Sequence, residues 1–256
     1  MLPLWGHEVP MKTRLDKLLV NRGLTASRER AQAMILAGKV LVEEQKIEKA
    51  GALVGEDASV RLLGGDLRYV SRGGLKLERA LKHWKLDVRG KNCLDVGAST
   101  GGFTDCLLQH GAARVVAIDT GYGQIAMKLR QDERVRLVEK CNARLLTREF
   151  LGELVDLVVM DVSFISATLV VSPVFASAFP DDRAGRFVIV LVKPQFEVGR
   201  ELVGKGGIVR DEAAQLAAAE KVRACVVGLG AERTDLVDSP ILGAEGNREF
   251  LLYAQF

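Results

Sequence analysis

From about residue 90 onward, short apolar runs alternate with amphipathic stretches. NCLDVGA, RVVAIDT, VRLVEKC, VDLVVMDVSF, RFVIVLVK and REFLLYAQF read as strands. GFTDCLLQHG, QIAMKLRQ and DEAAQLAAAEKVRACVVG between them carry helical spacing, as does LKLERALKHWKL ahead of them through Leu77, Ala80, Leu81 and Trp84. Continuous apolar strands separated by helices predict an α/β domain, its mostly parallel sheet covered on both faces, with seven strands expected.

The front of the chain has a different pattern. TRLDKLLVNRG predicts a short helix with Leu15, Leu18 and Leu19 on one face, ended by Gly23. LTASRERAQAMILAGKV predicts a second, capped by Thr25 or Ser27, with Ala31, Met34 and Ile35 inward and Gly38 as its stop. Short β-like runs and glycine turns continue to about Gly65, so this is a small α+β domain. The expected organisation is a disordered leader over 1–11, a small domain over 12–66, a linker over 67–74 and the α/β domain over 75–256.

Charge separates the two domains further. Residues 12–89 hold 17 Lys/Arg against 10 Asp/Glu, whereas 90–256 hold 19 against 22. A basic front on a near-neutral body suits a polyanionic partner such as nucleic acid. No window approaches the roughly twenty apolar residues of a membrane span, and MLPLWGHEVP lacks the build of a signal peptide, so a cytoplasmic protein without membrane partners is expected. Cys93, Cys106, Cys141 and Cys225 form no CxxC pair and only three histidines accompany them, so no metal site is expected.

The first strand of the α/β domain runs into a turn, Asp95-Val-Gly97-Ala-Ser99-Thr-Gly101-Gly102-Phe103, and the next ends at Asp119. Glycines let a backbone approach a ligand closely, and an acid one βαβ step later is placed to hold ribose hydroxyls. The spacing is DxGxSxG rather than GxGxxG, with the acid ahead of the glycines. That favours S-adenosylmethionine, which has no pyrophosphate, over a dinucleotide. Asn142, at the end of the third strand, either meets an adenine edge or serves as a turn residue.

FVIVLVKPQFEVGR ends a buried run on Lys193, and an ammonium is costly to bury unpaired. Lys76, Asp161 and Glu249 also stand at element ends. This Lys-Asp-Lys-Glu set resembles the tetrad of FtsJ-type RNA 2′-O-methyltransferases. The resemblance implies a ribose hydroxyl as nucleophile, a methyltransferase sheet with its last strand reversed, and Asp161 at the cofactor as well. A lysine beside a second lysine in a partly dry site gives up its proton more readily. Lys193 is therefore the expected base, with Lys76, Asp161 and Glu249 positioning it. The loop Glu197–Arg210 is either a substrate-ordering loop or a plain connection.

RLDKLLVNRGLTASRERAQAMILAGKVLV resembles the small RNA-binding domain first described in a ribosomal small-subunit protein. The resemblance implies that Arg14, Arg22, Arg28, Arg30 and Lys39 meet RNA. Together with VSRGGLKLERAL, LDVGASTGGFTD, MDVSFIS, LVKPQFEVGR and GKGGIVRD, the whole of 12–256 resembles the TlyA family, known both as hemolysins and as ribosomal RNA cytidine 2′-O-methyltransferases. That implies rRNA or ribosomal subunits as partner and a monomer or weak dimer. The rival readings are a catalytically silent RNA-binding factor and a membrane-active hemolysin.

Overall fold

The computed structural model describes residues 12–25, 27–63, 68–181, 183–243 and 246–256. The expected leader over 1–11 lies outside them. Two compact units divide between Leu67 and Arg68.

In the smaller unit, β1 (Lys12–Arg14) pairs antiparallel with β4 (Leu53–Gly55). A second sheet places β2 (Val40–Val42) between β3 (Gln45–Lys46) and β5 (Val60–Leu62). Helices α1 (Leu15–Asn21) and α2 (Arg28–Leu36) pack through Leu15, Leu18, Leu19, Ala31, Met34 and Ile35, the positions their spacing picked out. Of the two cap candidates, Ser27 serves: its Oγ accepts from Arg30 N at 3.2 Å.

The larger unit contains α3 (Gly73–His83), β6 (Asn92–Val96), α4 (Gly102–Gln109), β7 (Arg114–Ile118), α5 (Met127–Arg130) and β8 (Val135–Val138). There follow α6 (Arg148–Leu151), β9 (Leu157–Met160), α7 (Thr168–Ala178), β10 (Phe187–Val192), α8 (Glu212–Gly228), β11 (Arg233–Asp238) and β12 (Phe250–Gln255). The sheet order is β11-β12-β10-β9-β6-β7-β8. Strands β8 to β10 run parallel, and β12 is antiparallel to both its neighbours, β10 and β11. Successive crossovers leave β6 in opposite directions, to β7 on one side and β9 on the other. A crevice opens at the carboxyl ends of the strands at such a reversal.

The sequence pattern shows six of the seven strands. The seventh, RTDLVD (β11), is an edge strand paired only with β12, and its residues are half-exposed or exposed. It needs no apolar run, so periodicity does not reveal it.

Residues expected to belong to a linker pack against the larger unit. Tyr69 is 2% exposed in the cluster of Leu77, Leu81, Phe103 and Cys106. Val70 N donates to the buried Asp105 at 2.8 Å, and α3 begins at Gly73 rather than 75. Gly74 permits this packing, because a Cβ there would lie 2.3 Å from Tyr69 Cγ. Gly74→Ala should therefore lower stability by about 1–3 kcal/mol in thermal or denaturant unfolding. Gly228→Ala, in a helix with nothing within 4 Å of the added methyl, should leave it unchanged or slightly raised.

Candidate functional site

The turn after β6 is built by steric necessity. Gly97 has φ +85°, and a Cβ there would lie 2.5 Å from the carbonyl oxygen of Asp161 at the end of β9. Gly101 (φ +94°) begins α4, and a Cβ on it would strike Leu129 Cδ1 at 2.3 Å. At Gly102 it would meet Ser71 Oγ at 2.2 Å. Ser99 takes left-handed backbone (φ +48°) with its N–H donating to Asp119 Oδ2 at 2.8 Å. The other oxygen of Asp119 accepts from Gly121 N at 2.6 Å. The acid at the end of β7 thus braces the glycine turn as well as facing the crevice.

Two cavities meet there. One of about 520 Å³ is lined by Asp119 and Asn142, by the apolar Val96, Ile118, Ile165 and Val170, and by polar residues that include Gln124 and Arg144. Asn142 also acts as a turn residue, its Oδ1 accepting from Arg144 N at 3.2 Å to cap the 3-10 turn Ala143–Leu145. The other cavity, about 220 Å³, is lined by Arg72, Lys76, Ser99, Gly102, Phe103 and Asp161 among others. Gly97, Ser99 and Asp161 border both.

The four polar element-end residues form two ion pairs. Lys76, from the first turns of α3, hydrogen-bonds Glu249 in a buried pair just before β12. Lys193 lies 2.5 Å from Asp161 Oδ1, close enough for an ion pair but without hydrogen-bond alignment. The aligned bond of Lys193 goes to Ser163 Oγ at 2.7 Å. Lys76 and Asp161 line the smaller cavity, whereas Lys193 reaches it through Asp161.

Sequence reasoning missed the residues that hold this loop. Ser163 is one. Glu197 is another: it is buried, accepts from Ala167 N at 2.6 Å and Ser166 Oγ at 2.5 Å, and ties the β9–α7 connection to the end of β10. The sequence shows it only as the start of a candidate substrate loop; its carboxylate, which also lies 3.5 Å from Lys221 Nζ, anchors that loop. Nothing in spacing marks a glutamate whose hydrogen-bond partners lie thirty residues away.

Asp95 lines neither cavity. It is fully buried beneath the turn, accepts from Thr104 Oγ1 at 2.6 Å, and its other oxygen has no hydrogen-bond partner among the described residues. Burial pushes its carboxyl up to about 7, against the Thr104 hydrogen bond, with Asp161 and Asp119 adding to the rise.

In the smaller unit, Arg14, Arg22 and Arg28, all expected to face RNA, are fastened to internal partners. Arg14 and Arg28 both bond Asp16, and Arg22 donates to the carbonyls of Ala58 and Glu56. Arg30 is half-buried and Lys39 exposed. Among the described residues no helix is long and apolar enough to cross a membrane, and no cluster of three or more His, Cys, Asp or Glu could hold a metal.

A carboxyl raised in the folded state favours folding below its unfolded value, near 4, and loses that contribution as pH rises to about 7. Asp95→Asn should remove this slope. Its stability relative to wild type should climb by roughly 2–4 kcal/mol between pH 4 and pH 8 in denaturant titrations; a pH-independent difference would contradict the assignment.

Residues 69–256 match the FtsJ-like methyltransferase family, and residues 13–60 match the S4 domain. The chain is 43% identical over 243 residues to the 16S/23S rRNA (cytidine-2′-O)-methyltransferase TlyA of Mycobacterium tuberculosis, covering 94% of this chain and 89% of that protein. It is 46% identical over 243 residues to YqxC of Bacillus subtilis, provisionally named an rRNA methyltransferase, covering 94% of this chain and 85% of the relative. A solved Streptococcus thermophilus protein, provisionally named a hemolysin, superposes with a TM-score of 0.71 at 41% identity, covering 96% of this chain and 89% of that one. The glycine turn at the β6 reversal and the Lys-Asp-Lys-Glu pairs beside it are thus set in a chain that belongs to the FtsJ-like methyltransferase family and carries an S4 domain ahead of its catalytic fold.

Proposed function

We propose that the protein transfers a methyl group from S-adenosylmethionine to the 2′-hydroxyl of a cytidine ribose in ribosomal RNA. The observation that carries this reading is the meeting of two cavities at Gly97, Ser99 and Asp161, with two lysine–carboxylate pairs at that junction. The similarity to TlyA supplies the target class.

The residues fit the methyl donor. Asp119 is fixed by two backbone amides with lone pairs to spare for ribose hydroxyls, and the apolar wall of the larger cavity suits an adenine face. Asn142 stands on the same wall and can reach an adenine edge. Gly97, Ser99, Gly102 and Phe103 line the smaller cavity, where the donor's amino-acid end and the target ribose would meet, while Gly101, outside both linings, shapes the turn against Leu129. Asp95 acts from beneath the turn. When bound, the sulfonium supplies an electrophilic methyl carbon.

The chain's own task is to align the ribose and remove its proton. Lys193 would take the proton from the 2′-hydroxyl, the oxygen that receives the methyl group. The two lysines are not equivalent. Lys76 is locked in an aligned, buried bond to Glu249, whereas Lys193 has an unaligned carboxylate neighbour and a bond to an exposed serine. Lys193 can therefore turn its amine toward the hydroxyl, while Asp161 and Ser163 limit its direction. Lys76 and Glu249 hold the opposite wall.

Two measurements test this. Tritiated methyl transfer onto isolated large and small ribosomal subunits should place label on a cytidine ribose; label on a base, or none on either subunit, would overturn the proposal. Lys193→Ala should reduce methyl transfer by roughly 10²–10⁴-fold. Calorimetric affinity for S-adenosylmethionine should stay within about threefold, because Lys193 lines neither cavity.

A further inference from the structure

The smaller unit contains a buried carboxylate that methyl transfer does not use. Asp16 lies in the first turn of α1 and is 0% exposed. Four donors converge on it: Arg14 Nε at 3.0 Å, Arg14 Nη2 at 2.8 Å, Arg28 Nε at 3.0 Å and Gln32 Nε2 at 2.8 Å. The Arg14 hydrogen bond, joined by those of Gln32 and Arg28, holds its carboxyl well below the usual carboxylate range. The groups covering it face outward: the Arg14 and Arg28 side chains are 40% and 47% exposed.

An acid in a helix's first turn needs no arginines to be useful; its contact with the helix dipole alone contributes a few tenths of a kcal/mol. Burying the carboxylate requires that its charge be compensated, and Arg14 with Gln32 already supplies three donors. Compensation by one guanidinium leaves the second, Arg28 from a different element, to be accounted for. The geometry does something else. It ties two guanidiniums to one carboxylate, Arg14 through Nε and Nη2 and Arg28 through Nε alone, so both Nη groups of Arg28 lie outside the contact. Ordered guanidiniums meet a phosphate without first losing rotamer freedom.

We propose that Asp16 is a positioning residue for RNA binding: it sets Arg14 and Arg28 as a paired guanidinium edge that receives backbone phosphate of a folded RNA. This rests on reading the S4 domain as the RNA-docking unit. It carries an unusual sign. Removing an anion from a basic surface should strengthen binding to RNA if charge alone matters. If Asp16 positions the arginines, removing it weakens binding.

The experiment measures binding of the full chain to purified large and small ribosomal subunits across a salt series, without methyl donor. Wild type that binds neither subunit would overturn the docking reading itself, and the proposal with it. If wild type binds, Asp16→Asn should bind roughly tenfold more weakly, with a salt slope shallower by about one to two phosphate contacts. A merely structural loss would not track phosphate number. Arg28→Lys, which keeps the charge and loses the fork, should also weaken binding several-fold. Equal or tighter binding by folded Asp16→Asn, or unchanged binding by Arg28→Lys, would overturn the proposal. Thermal unfolding of both variants shows whether each is folded, and the solvent-facing Arg28→Lys decides the matter if Asp16→Asn is not.

Discussion

The site depends on one backbone contact, the approach of Gly97 to the carbonyl of Asp161. Val96 O accepts from Asp161 N at 2.9 Å, and Gly97 N donates to Ile118 O at 2.9 Å. Three adjacent strand ends, those of β6, β7 and β9, are therefore joined through backbone within two residues. A side chain at 97 would part the strands that carry the glycine turn and Asp161. The sheet reversal at β6 opens the crevice; this junction sets how far apart its two halves stand. Glycine is required here by a close approach in a conformation that L side chains rarely adopt, which is a stronger constraint than ligand clearance alone.

Around that junction charge is handled in two ways. Lys76 and Lys193 each lie against a carboxylate of their own, so the site carries four ionisable groups with little net charge. Such an arrangement leaves no uncompensated ion in a partly dry cavity. Asp95 follows the opposite course. It has one hydroxyl donor and no cation, and its carboxyl rises accordingly. The difference between the two kinds of carboxylate lies in what surrounds them, and neighbours distant in sequence supply it: Lys76 and Glu249 are 173 positions apart.

That separation explains what could be read from the chain. The central strands were legible because both their faces are buried, which forces continuous apolar runs such as LVVM and FVIVLV. Strand β11 was not, since an edge strand in half-exposed surroundings is free of that constraint. Lys193, Lys76, Asp161 and Glu249 stood out because polar groups at the ends of apolar elements are conspicuous, and resemblance gave them a common purpose. Their division into pairs was not legible, because pairing is decided by side-chain reach across the crevice. Tyr69 shows the same limit. Arg68, Ser71 and Arg72 around it read as polar connection, yet the ring is buried because Gly74 leaves a space for it.

The two units, folded around separate cores, share a device. In each, an acid lies against basic side chains: Asp161 beside Lys193, and Asp16 beneath Arg14 and Arg28. For the proposed role of Asp16 the reason lies in the chemistry of the partner. A phosphate oxygen is a small, well-solvated group, and a mobile cation spends most of its time in water rather than aimed at it. Fixing the direction of the cation beforehand transfers that entropic cost from the binding step to folding. The acid also has to be kept from the nucleic acid it would repel. Burial achieves that at Asp16, which is fully covered, and ion pairing achieves it at Asp161, which is not. In the RNA-docking role proposed for the smaller unit, the carboxylate of Asp16 is a working part of a basic surface, and counting net charge over residues 12–89 registers it only as a subtraction.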